Sequence, residues 1–165
     1  MFLLRGFMNI FSLGMDQLAY ELQQKGIRAD VSNHASWSSV ASEAAAECKS
    51  GKIGSVILVG HSLGAGAAVD AARQLQQDGV RVALVVTLDP VSTTHAPSNV
   101  ARLENYYLSN GVGAAVQKDA GFHGKLQNID LANRPDAGHV AVSRLPDIHK
   151  RIIAQISAAS GISCR

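Results

Sequence analysis

The sequence predicts an α/β fold, a three-layer sandwich in which a mostly parallel sheet of about six strands lies between two layers of helices. Three observations predict it. Short apolar runs alternate with amphipathic helical stripes along the chain. The central runs, "SVILVG" and "VRVALVVTLD", are apolar at consecutive positions, as strands covered on both faces should be. The connections between these elements are short, and glycines stand where helices should stop.

Taken in order, "FLLR" (Phe2 to Arg5) reads as a first buried strand. Met15, Leu18, Ala19 and Leu22 then fall at i, i+3, i+4 and i+7, the stripe of an amphipathic helix that Gly26 ends. "IRADV" (Ile27 to Val31) reads as the second strand. Trp37, Val40, Ala41, Ala44 and Cys48 repeat the helical stripe, with Ser36 as its N-cap. The third strand is "SVILVG" (Ser55 to Gly60), followed by a small-residue helix from Ala65 to Gln77 that Gly79 closes. Val80 to Asp89 reads as the fourth strand, and Leu103 to Ser109 and Leu126 to Ala132 as two more polar strands nearer an edge. The last helix starts at Pro146, at home in a first turn, and runs through Ile148, Ile152 and Ile156 to Gly161. The irregular segments 90–102 and 110–125 follow strands, so they belong at the carboxyl edge of the sheet, where open α/β sheets bind ligands.

At 165 residues the size prior gives one domain over 1–165, with 47% hydrophobic residues for a core. Only 5% are aromatic, so that core is aliphatic and alanine-rich. A net charge of +2 with scattered Lys and Arg argues against a nucleic-acid partner. No apolar run reaches the ~18 residues of a membrane span, so no transmembrane segment is expected. Cys48 and Cys164 lack metal-like spacing, and a bridge between them is neither required nor excluded. The opening "MFLLRGFMNIF" lacks a basic leader and a small-residue cleavage site. The expected compartment is therefore cytoplasmic, or secreted if a signal lies upstream. The sequence carries no mark of oligomeric state.

Chemistry concentrates at Gly60-His61-Ser62-Leu63-Gly64, a G-x-S-x-G placed between a predicted strand and a predicted helix. A sharp strand-to-helix turn there exposes the serine hydroxyl at the sheet edge, and glycines on both sides avoid collision with neighbouring backbone. The helix start aims free N–H groups at the same spot, which favours developing negative charge. The alternative is a tight turn whose serine only caps the helix. Two other glycine-loop readings fail. A dinucleotide fingerprint lacks its third glycine at Val69, and no lysine between Lys52 and Lys118 makes a P-loop.

A serine needs a base, and in a parallel sheet that base should follow a later strand at the same edge. His139, in "NRPDAGHVAV" between the final strand and the final helix, meets that requirement; His95 is the alternative. His61 is adjacent to the serine and should point away from it. His34 and His95 sit on loops at the reactive edge as pocket residues. His123 belongs on the wrong side or in a loop, and His149 in the last helix. Asp89 ends the strand after the serine, within reach of an imidazole folding over the edge. Asp136 and Asp119 are the alternatives, as is a plain Asp-Pro turn at Asp89.

The elbow and the order Ser62, Asp89, His139 resemble the α/β-hydrolase superfamily along nearly the whole chain, most of all its small lidless esterases and lipases. The resemblance implies a minimal α/β-hydrolase fold without a cap domain. One departure is the acid, which in most of the superfamily lies a strand further on. The resemblance also implies an oxyanion hole built from the N–H of Leu63 and of a residue after the first strand. Within Arg5-Gly6-Phe7 that is Phe7, then Gly6, although Gly6 reads equally as a turn glycine. The implied activity is hydrolysis of a small-molecule carboxylic ester or other acyl substrate through an acyl-enzyme on Ser62, with no metal and no cofactor. A thioesterase or amidase on the same triad, or a non-catalytic binding protein of this fold, is the alternative. Phe7, Met8, Ile10, Phe11 and the loop Val91 to Val100 are candidates for an apolar acyl site, the "FMNIF" segment reading equally as packing.

Overall fold

Phe2–Arg5 forms strand β1, and its alternation sets the layers. Phe2 and Leu4 enter one apolar core, Met1 and Leu3 the other. The structure is a computed structural model that describes residues 1–7 and 13–165. After β1 come α1 (Leu13–Gln23), β2 (Asp30–Asn33), a 3₁₀ turn (His34–Ser36), α2 (Trp37–Lys49), β3 (Ile57–His61), α3 (Leu63–Gln77) and β4 (Leu84–Leu88). The second half holds β5 (His95–Ala96), β6 (Arg102–Tyr107), β7 (Gln117–Lys118), β8 (Lys125–Asp130), a 3₁₀ turn (Ala141–Arg144) and α4 (Pro146–Ala159).

Six strands form one sheet in the order β2-β1-β3-β4-β6-β8, and every pairing is parallel. Helices α2 and α3 cover one face, through Val40, Ala44, Ala68 and Leu75 on Leu58 and Val85. Helices α1 and α4 cover the other, through Leu18, Ile148 and Ile152 on Leu3, Val59 and Val86. This is the expected three-layer arrangement. No helix stands between β4 and β8 among the described residues. Instead the loops after β4 and β6 carry a two-stranded parallel sheet, β5 with β7, whose Ala96 joins Val100, Val116 and Phe122 in the α2/α3 core. A polar ladder straps the loop after β6 down. Thr87 Oγ donates to Asn105 Oδ1, and Asn105 Nδ2 donates to Asn128 Oδ1 and to the Ala114 carbonyl. Asn128 in turn accepts from the Val116 N–H and donates to its carbonyl. Asn105 is buried, and a buried amide persists when its donors and acceptors are paired.

Several boundaries differ from the sequence reading for local reasons. Ile27 N–H closes α1 by donating to Leu22, so β2 starts only at Asp30 rather than Ile27. Val80 closes α3 the same way onto Leu75, which shortens β4 to Leu84–Leu88. Ser36 makes no capping bond; Asn33 accepts from Ala35 N–H and caps the 3₁₀ turn ahead of α2. Cys48 and Cys164 are joined in a buried disulfide that fastens the C-terminal tail to the end of α2. No helix among the described residues is long and apolar enough to cross a membrane.

Candidate active site

The register β3 to β4 sets His61 beside Leu88, so the chain leaves both strands at the same level of the sheet. Ser62 follows β3 and Asp89 follows β4, and both adopt positive φ, 59° and 47°. For residues bearing a Cβ this is a sparsely populated region, costing about 1–3 kcal/mol each. The neighbouring backbone holds both bends. Ser62 N–H donates to Leu88 and Asp89 N–H to Tyr106, at 2.9 and 2.7 Å. The elbow tolerates nothing larger than glycine at its flanks: a Cβ on Gly60 would lie 1.9 Å from the Gly64 carbonyl oxygen, and one on Gly64 2.1 Å from that of Leu4. Small residues thus bring the start of α3 against the end of β1.

His139 arrives from the loop after β8. Its Nδ1 lies 2.6 Å from Asp89 Oδ2, and its Nε2 lies 3.0 Å from Ser62 Oγ. A carboxylate oxygen only accepts, so Nδ1 carries the imidazole proton and Nε2 is left to accept from the serine hydroxyl. Asp89 is buried, with its second oxygen accepting the Leu108 N–H at 2.8 Å. The serine is 9% exposed and the His139 side chain 34%, so the group opens to solvent chiefly over the imidazole.

The other candidates lie apart from this chain of bonds. Asp136 pairs with Arg134, which holds its carboxyl below the usual range, and Asp119 pairs with Arg73. His95 lies in β5, where its carbonyl accepts from Arg73. His34 lies in the first 3₁₀ turn, its Nδ1 buried and without a hydrogen-bond partner among the described residues. His123 lines a cleft of about 510 Å³ with Arg81 and Lys125, at the amino ends of the strands. His149 is buried in α4 on Ser143 and Glu21. Gly6 and Phe7 follow β1 at the reactive edge, Gly6 buried and Phe7 exposed, and Leu63 opens α3 beside them. Met8, Ile10 and Phe11 lie outside the described residues.

Two features of the site escaped the sequence reading. Gly113, in the loop after β6, packs directly on Asp89. The His61 ring reaches the His139 carbonyl oxygen at 2.6 Å. A glycine in a loop at the carboxyl edge, and a histidine inside the elbow, were the available signals.

The thioesterase domain family model matches residues 12–108, more than half of the chain and the part that holds Ser62 and Asp89. No curated protein matches. Among solved structures, a protein assigned to the α/β superfamily of hydrolases from Xanthomonas campestris pv. campestris is 14% identical, with a TM-score of 0.44, covering 96% of this chain and 92% of that one. An extracellular α/β-hydrolase from a Paenibacillus species is 18% identical with a TM-score of 0.38 over 55% of this chain. The match spans 40% of that protein's length.

Proposed function

The chain belongs to the thioesterase domain family, within the α/β-hydrolase superfamily, and from that premise we propose that it is a serine hydrolase cleaving carboxylic esters through an acyl-enzyme on Ser62. The observation that carries the reading is the unbroken chain Asp89–His139–Ser62, with contacts of 2.6 and 3.0 Å. His139 Nε2 takes the hydroxyl proton as Ser62 Oγ attacks the acyl carbonyl, and Asp89 stabilises the imidazolium that forms. The oxyanion is received by the Leu63 N–H at the start of α3 and by an N–H after β1, Phe7 or Gly6. Removing one such donor typically costs about 3 kcal/mol of barrier. His139 then protonates the leaving group, and water attacks the acyl-enzyme by the same route. The substrate is a small acyl compound, and these steps use only side chains and backbone of this chain.

A second reading, thioester cleavage on the same three residues, is favoured by the family match over 12–108. Esters and thioesters of matched acyl chains separate the two by kcat/KM. A fluorophosphonate probe tests the shared premise. One adduct on Ser62, absent in Ser62→Ala, is expected. A folded protein that takes no label and turns over neither substrate class is a non-catalytic binding protein of this fold.

The buried Cys48–Cys164 bridge supports the secreted alternative for location, because disulfides persist chiefly in oxidising compartments.

A further inference from the structure

We propose that His61 is a positioning residue for the reaction: its ring N–H holds the backbone carbonyl of His139 and so sets where the imidazole meets Ser62. This rests on the serine-hydrolase reading above. His61 ends β3 and is wholly buried, and Ser62 is the next residue. Two consecutive residues of one strand end therefore hold both ends of His139. Ser62 Oγ meets its Nε2 at 3.0 Å, and His61 Nε2 meets its carbonyl oxygen at 2.6 Å. A carbonyl only accepts, so His61 Nε2 carries a proton. The two rings also lie 5.3 Å apart at 37°. Burial, the largest influence on His61, moves its pKa below that of a free imidazole and so favours the neutral ring.

The arrangement matters because His139 sits in a loop, while Ser62 is rigidly held between β3 and α3. A loop-borne base needs its backbone tied to the sheet to keep one geometry, and misplacement by about 1 Å costs on the order of a hundredfold in rate. A merely space-filling residue at 61 would leave the His139 carbonyl without that donor.

The test compares His61→Leu, which keeps bulk without a donor, with His61→Gln, whose amide nitrogen reaches about as far as imidazole Nε2. On a short p-nitrophenyl ester, His61→Leu should lower kcat by about tenfold or more with KM within about twofold. His61→Gln should recover most of kcat. A folded His61→Leu protein with wild-type kcat, or a His61→Gln protein no better than His61→Leu, overturns the proposal. Nitrogen-15 NMR of histidine-labelled wild-type protein gives a second reading that needs no variant. The Nε2–H form of His61 is expected at neutral pH, and the Nδ1–H form would refute it. Ser62→Ala separates the two levels. If it stays active, the serine-hydrolase reading falls; if it is inert while His61→Leu is fully active, only the role of His61 falls.

Discussion

Gly113 and Asp89 compete for one space: a Cβ on Gly113 would stand 1.7 Å from Asp89 Oδ1. The carboxylate fills the room that the missing side chain leaves, with Leu108 N–H holding the same oxygen. The loop bearing Gly113 is fixed in turn by Asn105 and Asn128, through the carbonyl of Ala114 and the backbone of Val116. Gly113→Ala is therefore expected to shift the acid off His139 Nδ1 and lower kcat by roughly ten- to a hundredfold. Steady-state kinetics on a short ester check this, with circular dichroism to confirm the fold. Unchanged kcat in a folded variant would show that the acid has slack.

Asp89→Asn and Asp136→Asn should separate cleanly. Asp89 faces the imidazole directly, and an amide there permits the wrong tautomer, so a loss of about 10³–10⁴ in kcat is expected. Asp136 and Asp147 share Arg134 at the exposed surface, so Asp136→Asn should leave kcat within about twofold. A large loss for Asp136→Asn alone would transfer the acid role to that residue.

Removing the disulfide should weaken the fold far more than the chemistry. Its cysteines are separated by 116 positions, and for so long a loop the chain-entropy account gives about 4–5 kcal/mol, within a usual range of about 2–5. Urea unfolding of a Cys48→Ala/Cys164→Ala double variant measures it. Thiol titration of the unreduced, denatured protein should find no free sulfhydryl.

Acid should destabilise the protein through His61. Its pKa lies below the ordinary imidazole value of about 6.5. Burial is the leading cause, and the His139 and Arg144 charges add to it. The His139 carbonyl and the Asp89 charge oppose it. The unfolded chain binds this proton near pH 6.5, the native chain only lower. The stability tied to neutral His61 is thus complete above about pH 6.5 and drains away as pH falls toward its native pKa. Melting temperatures between pH 8 and 5 should drop more steeply for wild type than for His61→Gln. Parallel curves would remove His61 as the source.

Most legible from residues alone was whatever sits at the end of a strongly apolar strand. Ser62 and Asp89 terminate the two least ambiguous runs, so order along the chain placed them at one edge. Boundaries were less legible where apolar residues serve two ends. Ile27 and Val80 look like strand residues but close helices α1 and α3. Two-residue strands such as β5 and β7 have no periodicity to detect. The pairing of Cys48 with Cys164 left no local trace, because 116 positions separate partners that only the folded layers bring together. Gly113 offered only a glycine in a loop at the carboxyl edge as a signal, because its neighbour in space is a carboxylate from a different strand end.

The Cys48–Cys164 link also makes the chain a covalent lariat. Ser62, Asp89 and His139 all lie within its closed portion, as do the segments 90–101 and 108–124 that follow β4 and β6. A protease cutting either segment once would release no fragment, and the nicked molecule would still migrate as one piece until a reductant opened it. Reacting groups drawn from distant stretches of sequence would thereby survive damage to the backbone between them.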